Sequence, residues 1–148
     1  MSDLRIRPLA LCVFHHQGKI LVNAFPDSVK QQTLFRPIGG GIEFGESSAD
    51  TLVREVHEEL RESISDLRLL GTLENIFTYL GKPHHEIVQI YDARFDNPAI
   101  YQQASVEGQE SNGETFSARW LDSRAFSAES PLVPDGLEAL LKSLSMLN

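Results

Sequence analysis

No stretch of the chain limits its fold as tightly as residues 40 to 62, GGIEFGESSADTLVREVHEELRE. Ala49, Leu52, Val53, Val56 and Leu60 recur at helical spacing, so residues 47 to 61 are expected to form a helix docked through one apolar stripe. Ser47 or Ser48 supplies an N-cap, and Asp50 places an acid in the positively polarised first turn. On such a helix Glu55, Glu58 and Glu59 stand at i, i+3 and i+4 and share a face. Like charges at that spacing destabilise a helix by roughly 0.2–0.5 kcal/mol per pair. Either the face is simply solvated, or it holds a hard divalent cation, which carboxylate oxygens bind together with substrate phosphates.

The residues upstream favour the cation. Pro37-Ile38-Gly39-Gly40-Gly41 reads as a glycine-rich turn, and Ile42-Glu43-Phe44-Gly45-Glu46 as a short alternating segment leading into the helix. Glycines there let the backbone approach a ligand and offer a carbonyl oxygen. Taken together, Gly40, five residues, Glu46, seven residues, then Arg54-Glu55-Val56-x-Glu58-Glu59 resembles the signature of the Nudix hydrolases. The family pattern closes with a glycine and an aliphatic residue, where this chain has Arg61 and Glu62. Without the left-handed cap that a glycine supplies, the helix is expected to continue toward Ser63 or Ser65.

The resemblance implies hydrolysis of the pyrophosphate bond in a nucleoside diphosphate linked to another moiety: a nucleotide-sugar, an ADP-ribose-like compound or a nucleoside triphosphate. It implies Mg²⁺, with Mn²⁺ as a substitute. Carried over position by position, Glu58 and Glu59 are metal ligands, Glu55 is a ligand or the base that orients water, and the Gly40 carbonyl completes the shell. Arg54 holds a catalytic carboxylate in place, and Glu46 supports the site from the start of the helix. Family members commonly add a glutamate from the loop before a late strand. Of Glu107, Glu110 and Glu114, the choice falls on Glu114, at the edge of a strand spanning residues 116 to 121.

Around the helix the chain reads as strands. Leu9 to Phe14 and Lys19 to Phe25 form an expected hairpin, with His15 and His16 in its loop. Leu67 to Tyr79, Glu86 to Phe95 and Phe116 to Leu121 are further extended runs, and a leucine stripe over residues 137 to 147 marks a terminal helix. The pattern is α/β in the broad sense, α+β in detail, with helices covering a sheet. The resemblance implies the Nudix fold, a mixed β-sheet sandwiched between helices, in one domain spanning residues 1–148. Arg36, Phe35 and Tyr79 are the candidate substrate contacts, and Phe25 and Phe77 are further rings able to stack on a base. Residues 73 to 79 and His84-His85-Glu86 are placed along the cleft edge.

Composition narrows the partners. At 148 residues and 41% hydrophobic content the chain can bury a sizeable core. Its net charge of −8 argues against nucleic-acid binding, which needs a basic face. Residues 40 to 62 carry seven acids and two arginines, and so account for five of those eight charges. No run is long enough to span a bilayer, there is no secretion-signal pattern, and the single Cys12 lies in an apolar segment. A cytoplasmic protein acting on a small-molecule nucleotide, with no membrane partner and with a homodimer allowed, is the resulting expectation. The alternative is a Nudix domain that binds a nucleotide without turning it over, although pure binding does not need the set Arg54, Glu55, Glu58 and Glu59.

Overall fold

The structure is a computed structural model that describes residues 4–148. Strand β1 (Ile6–Val13) is apolar on both faces because it is central: Ala10 and Cys12 pack toward one helix, and Leu9, Leu11 and Val13 toward the other. It is followed by β2 (His15–His16), β3 (Lys19–Asp27), β4 (Gln32–Gly41), α1 (Ser48–Leu60), β5 (Ile64–Tyr79), β6 (Lys82–Phe95), β7 (Ser105–Gln109), β8 (Thr115–Leu121) and α2 (Leu137–Ser143). The sheet runs β5-β6-β1-β4-β3-β8-β7, with β2 paired to β3. The β1–β6 pair is parallel, and the other named pairs are antiparallel. Leu52 and Val56 of α1 are fully buried in one cluster, and Leu137 and Leu141 of α2 in another, so the helices cover opposite faces of a mixed sheet. Among the described residues no helix is long and apolar enough to cross a membrane.

β4 joins the two halves of the sheet. Its end, Ile38 to Gly41, pairs with β1, whereas Gln32 to Pro37 pairs with β3. Beyond that junction a cleft opens between the β5–β6–β1 face and the β3–β4 face. The tips of the two long hairpins meet across its mouth: Lys30 Nζ donates to the Thr78 carbonyl at 2.7 Å, and the Tyr79 hydroxyl donates to the Pro26 carbonyl at 2.9 Å.

Several expectations are corrected here. Residues 37 to 41 form the extended end of β4, not a turn, and the glycines serve close approach: a Cβ on Gly39 would overlap the Ala10 carbonyl. Residues 42 to 46 form the turn instead, with Gly45 at φ 86° and Phe44 fully exposed. The helix does not run on past its box. Arg61 itself adopts the left-handed conformation (φ 58°), and its N–H reaches the His57 carbonyl at 3.0 Å. The N-cap is Ser47, whose Oγ accepts from Asp50 N at 3.1 Å, a contact worth about 1 kcal/mol. Val53 is exposed, and Thr51 takes a buried place on the inner face. The β5–β6 hairpin is longer than expected at both starts, and β7 was not expected at all. α2 stops at Ser143, and Met146 and Leu147 are buried as an irregular tail.

Candidate active site

Arg54 organises the acidic face of α1. Its Nε donates to Glu46 Oε2 at 2.7 Å and Nη2 to Glu46 Oε1 at 2.9 Å, a bidentate fork. Nη1 donates to Glu55 Oε1 at 2.9 Å and lies 3.5 Å from Glu58 Oε2, while Nη2 also reaches the Gly41 carbonyl at 3.2 Å. Thr51 Oγ1 donates to the same Glu46 at 2.7 Å. These donors hold the Glu46 carboxyl down at about 2, with Arg54 as the main cause and Thr51 next. Glu46 lies in the turn and Arg54 on the helix, so the pair fastens the loop after β4 to α1 and leaves Glu55 little freedom.

Glu55 lies against the backbone of β4. A Cβ on Gly40 would stand 2.6 Å from the Glu55 carboxylate, so only glycine leaves room for it. Glu59 is 9% exposed, and burial pushes its carboxyl up to about 9, with a hydrogen bond to Glu55 and the nearby charge of Glu110 adding to the effect. Two carboxylates forced to share a proton are the donor chemistry that a hard cation satisfies by displacing that proton. Together with Glu43, Glu58 and Glu110 they line a cavity of about 610 Å³. Among the described residues no three such groups close into a cation cage. The open arrangement fits magnesium, which uses one or two carboxylates and leaves other positions to phosphate and water.

Of the residues singled out from the sequence, Arg54, Glu55, Glu58 and Glu59 are brought together on this wall, with Gly40 behind Glu55. Glu114 does not line the cavity, whereas Glu110 does. The turn between β7 and β8 closes with Glu110 N–H donating to the Glu114 carbonyl at 2.7 Å, and Glu110, Ser111 and Gly113 contribute to the wall. Sequence reasoning favoured Glu114 because it treated residues 105 to 115 as a loop. With β7 paired to β8, Glu110 is held at a hairpin turn without any closure.

The cleft between the two sheet halves holds Arg36, Tyr79, Phe25 and Phe77. Phe35 is not among them. It alternates with Arg36 on β4 and points into the α2-side core, 7% exposed and 5.8 Å from the Phe126 ring. Arg36 stacks its guanidinium 4.8 Å above the Phe25 ring, and burial lowers its affinity for a proton while Glu86, Glu59 and Glu110 act the other way. Two buried polar residues of this cleft, Asn75 and Glu86, lie in the segments expected along its edge. Glu86, Val88 and Ile90 share one inward face of β6, so a charge occupies a core-facing position.

Known structures share this architecture. A MutT NUDIX hydrolase from Burkholderia pseudomallei superposes with a TM-score of 0.62 at 18% identity, covering 97% of this chain and 99% of its own. A NUDIX hydrolase from Nitrosomonas europaea gives a TM-score of 0.51 at 19% identity over 79% of this chain and 72% of its own. At that identity the likeness is one of fold. A sequence profile of the NUDIX domain matches residues 5–141, so the box at residues 40 to 62 sits within a match over most of the chain, and the chain belongs to the Nudix hydrolase family.

Proposed function

We propose that the chain is a Mg²⁺-dependent pyrophosphohydrolase, with Mn²⁺ as a substitute, that cleaves a nucleoside diphosphate linked to another moiety. The observation that carries this reading is the Arg54 fork, which fixes Glu46 and Glu55 while Glu55 lies against Gly40 and beside the buried Glu59. A domain that only bound nucleotides would have no use for buried carboxylates held in mutual repulsion. Glu55 and Glu59 would hold the metal, with Glu58 and Glu110 on the same wall as further carboxylates and Gly40 behind Glu55. When bound, it supplies neutralisation of charge growing on the phosphate oxygens and a more acidic attacking water. Arg54 keeps Glu55 oriented through each turnover, and Glu55 ligates or orients the water. Arg36 and Tyr79 on the neighbouring cleft receive the remainder of the substrate.

The test is a phosphatase-coupled panel of nucleotide-sugars, ADP-ribose, dinucleoside polyphosphates, CoA and nucleoside triphosphates. Phosphate release from at least one class is expected with Mg²⁺ or Mn²⁺ and its loss on chelation. Full turnover after exhaustive chelation, with metal content checked by elemental analysis, would overturn the mechanism.

A further inference from the structure

The cleft beside the acidic cavity has a volume of about 270 Å³, at the lower end of ligand pockets, which begin at roughly 300 Å³. That is room for a fused ring system. Phe25, Phe77 and Tyr79 supply aromatic walls, and three polar side chains reach in with bonding capacity unused. Glu86 is 7% exposed, accepts no hydrogen bond from the described residues and pairs loosely with Arg7 at 3.8 Å. Asn75 is 4% exposed; its Oδ1 accepts from Asp135 N–H at 3.5 Å, leaving the amide NH₂ to donate elsewhere. Arg36 Nε is sealed from water without a partner. The Glu86 oxygens still face the cleft, so a ligand that displaces water from this carboxylate must bring donors in its place.

The complement of this set is a flat ring with two adjacent N–H donors for Glu86 and a carbonyl for the Asn75 amide or Arg36. Guanine presents that edge in N1–H, N2–H₂ and O6. Adenine offers an acceptor at N1 where Glu86 needs a donor, and hypoxanthine lacks the amino group. We infer that this pocket is the ring subsite of the substrate and that Glu86 and Asn75 select a 2-amino-oxo-pyrimidine edge, as in guanine. Arg36 lies within electrostatic range of Glu86 here and of Glu59 and Glu110 in the acidic cavity, so one guanidinium joins the ring pocket to the phosphate site. The inference rests on reading the acidic cavity as a pyrophosphate site.

Calorimetric titration of wild type and Glu86→Gln with GMP, IMP, AMP and CMP tests it without any turnover. Wild type is expected to bind GMP at least about 10-fold more tightly than IMP or AMP, since each lacks a donor to a charged acceptor. In Glu86→Gln the GMP to IMP ratio should fall toward one. A pterin carries the same edge. If free pterin binds more tightly than guanosine, the natural ring is a pterin, and if guanosine wins it is guanine; both results support selection by the edge. Equal affinity for the four nucleotides, or a ratio unchanged in Glu86→Gln, overturns it, and the wild-type panel decides alone if the variant fails to fold. Metal-dependent turnover without base selection would leave the hydrolase reading standing and sink this one, whereas base selection without turnover does the reverse.

Discussion

Arg54 shows how much one planar cation can fix. Its fork engages Glu46 bidentately while a third nitrogen holds Glu55, a geometry that an ammonium cannot copy. Arg54→Lys is therefore expected to lower kcat by about 10- to 100-fold with little change in melting temperature, measured under saturating metal. Glu59 carries a second expectation. Burial raises its carboxyl to about 9 from the ordinary 4.5, so between those values the folded chain keeps a proton that the unfolded chain releases. Its contribution to stability is thus fully present below about pH 4.5 and is lost as the pH rises toward 9. In chelator, the melting temperature should decline across that window for wild type, and Glu59→Gln should flatten the decline while lowering kcat by orders of magnitude. A steeper decline in Glu59→Gln would refute the assignment. The box residues were legible because helical spacing alone puts Glu55, Glu58 and Glu59 on one side. The choice among Glu107, Glu110 and Glu114 was not, since it depends on the pairing of β7 with β8 and no local pattern states that.

At the scale of elements, α1 ends on a residue that would ordinarily be a glycine. Arg61 accepts the left-handed conformation because its N–H still bonds to His57 O and the chain must turn at once into β5. A non-glycine residue there is strained, and Arg61→Gly is expected to stabilise the protein by about 1 kcal/mol in urea unfolding. Loss of stability would mean that the Arg61 side chain, which lines the acidic cavity, matters more than its backbone. The sequence announced this helix through its stripe and cap, yet gave no warning of its end, because the expected stop signal was absent. β4 was hidden for a related reason. Its polar beginning at Gln32 and Thr33, its Pro37 and its three glycines are poor strand formers, and only pairing on both sides, with Gly39 against Ala10, makes them extended.

For the whole molecule, a net charge of −8 with many of its acids gathered at the acidic cavity opposes the approach of a phosphate chain. Screening should relieve that repulsion. With metal saturating, kcat/KM is expected to rise as ionic strength goes from about 10 mM to about 100 mM, where the Debye length shrinks from about 30 Å to about 10 Å. A fall instead would mean that Arg7 and Arg36 dominate capture. The union of the two sheet halves through β4 has a consequence for substrate length. One rigid strand carries Arg36 at the ring pocket and Gly40 behind Glu55, four residues on, and an extended chain advances about 3.3 Å per residue. On the proposed reading β4 works as a ruler with marks about 13 Å apart, and a substrate would be measured by the reach between its ring and its phosphates before any side chain inspects its far end.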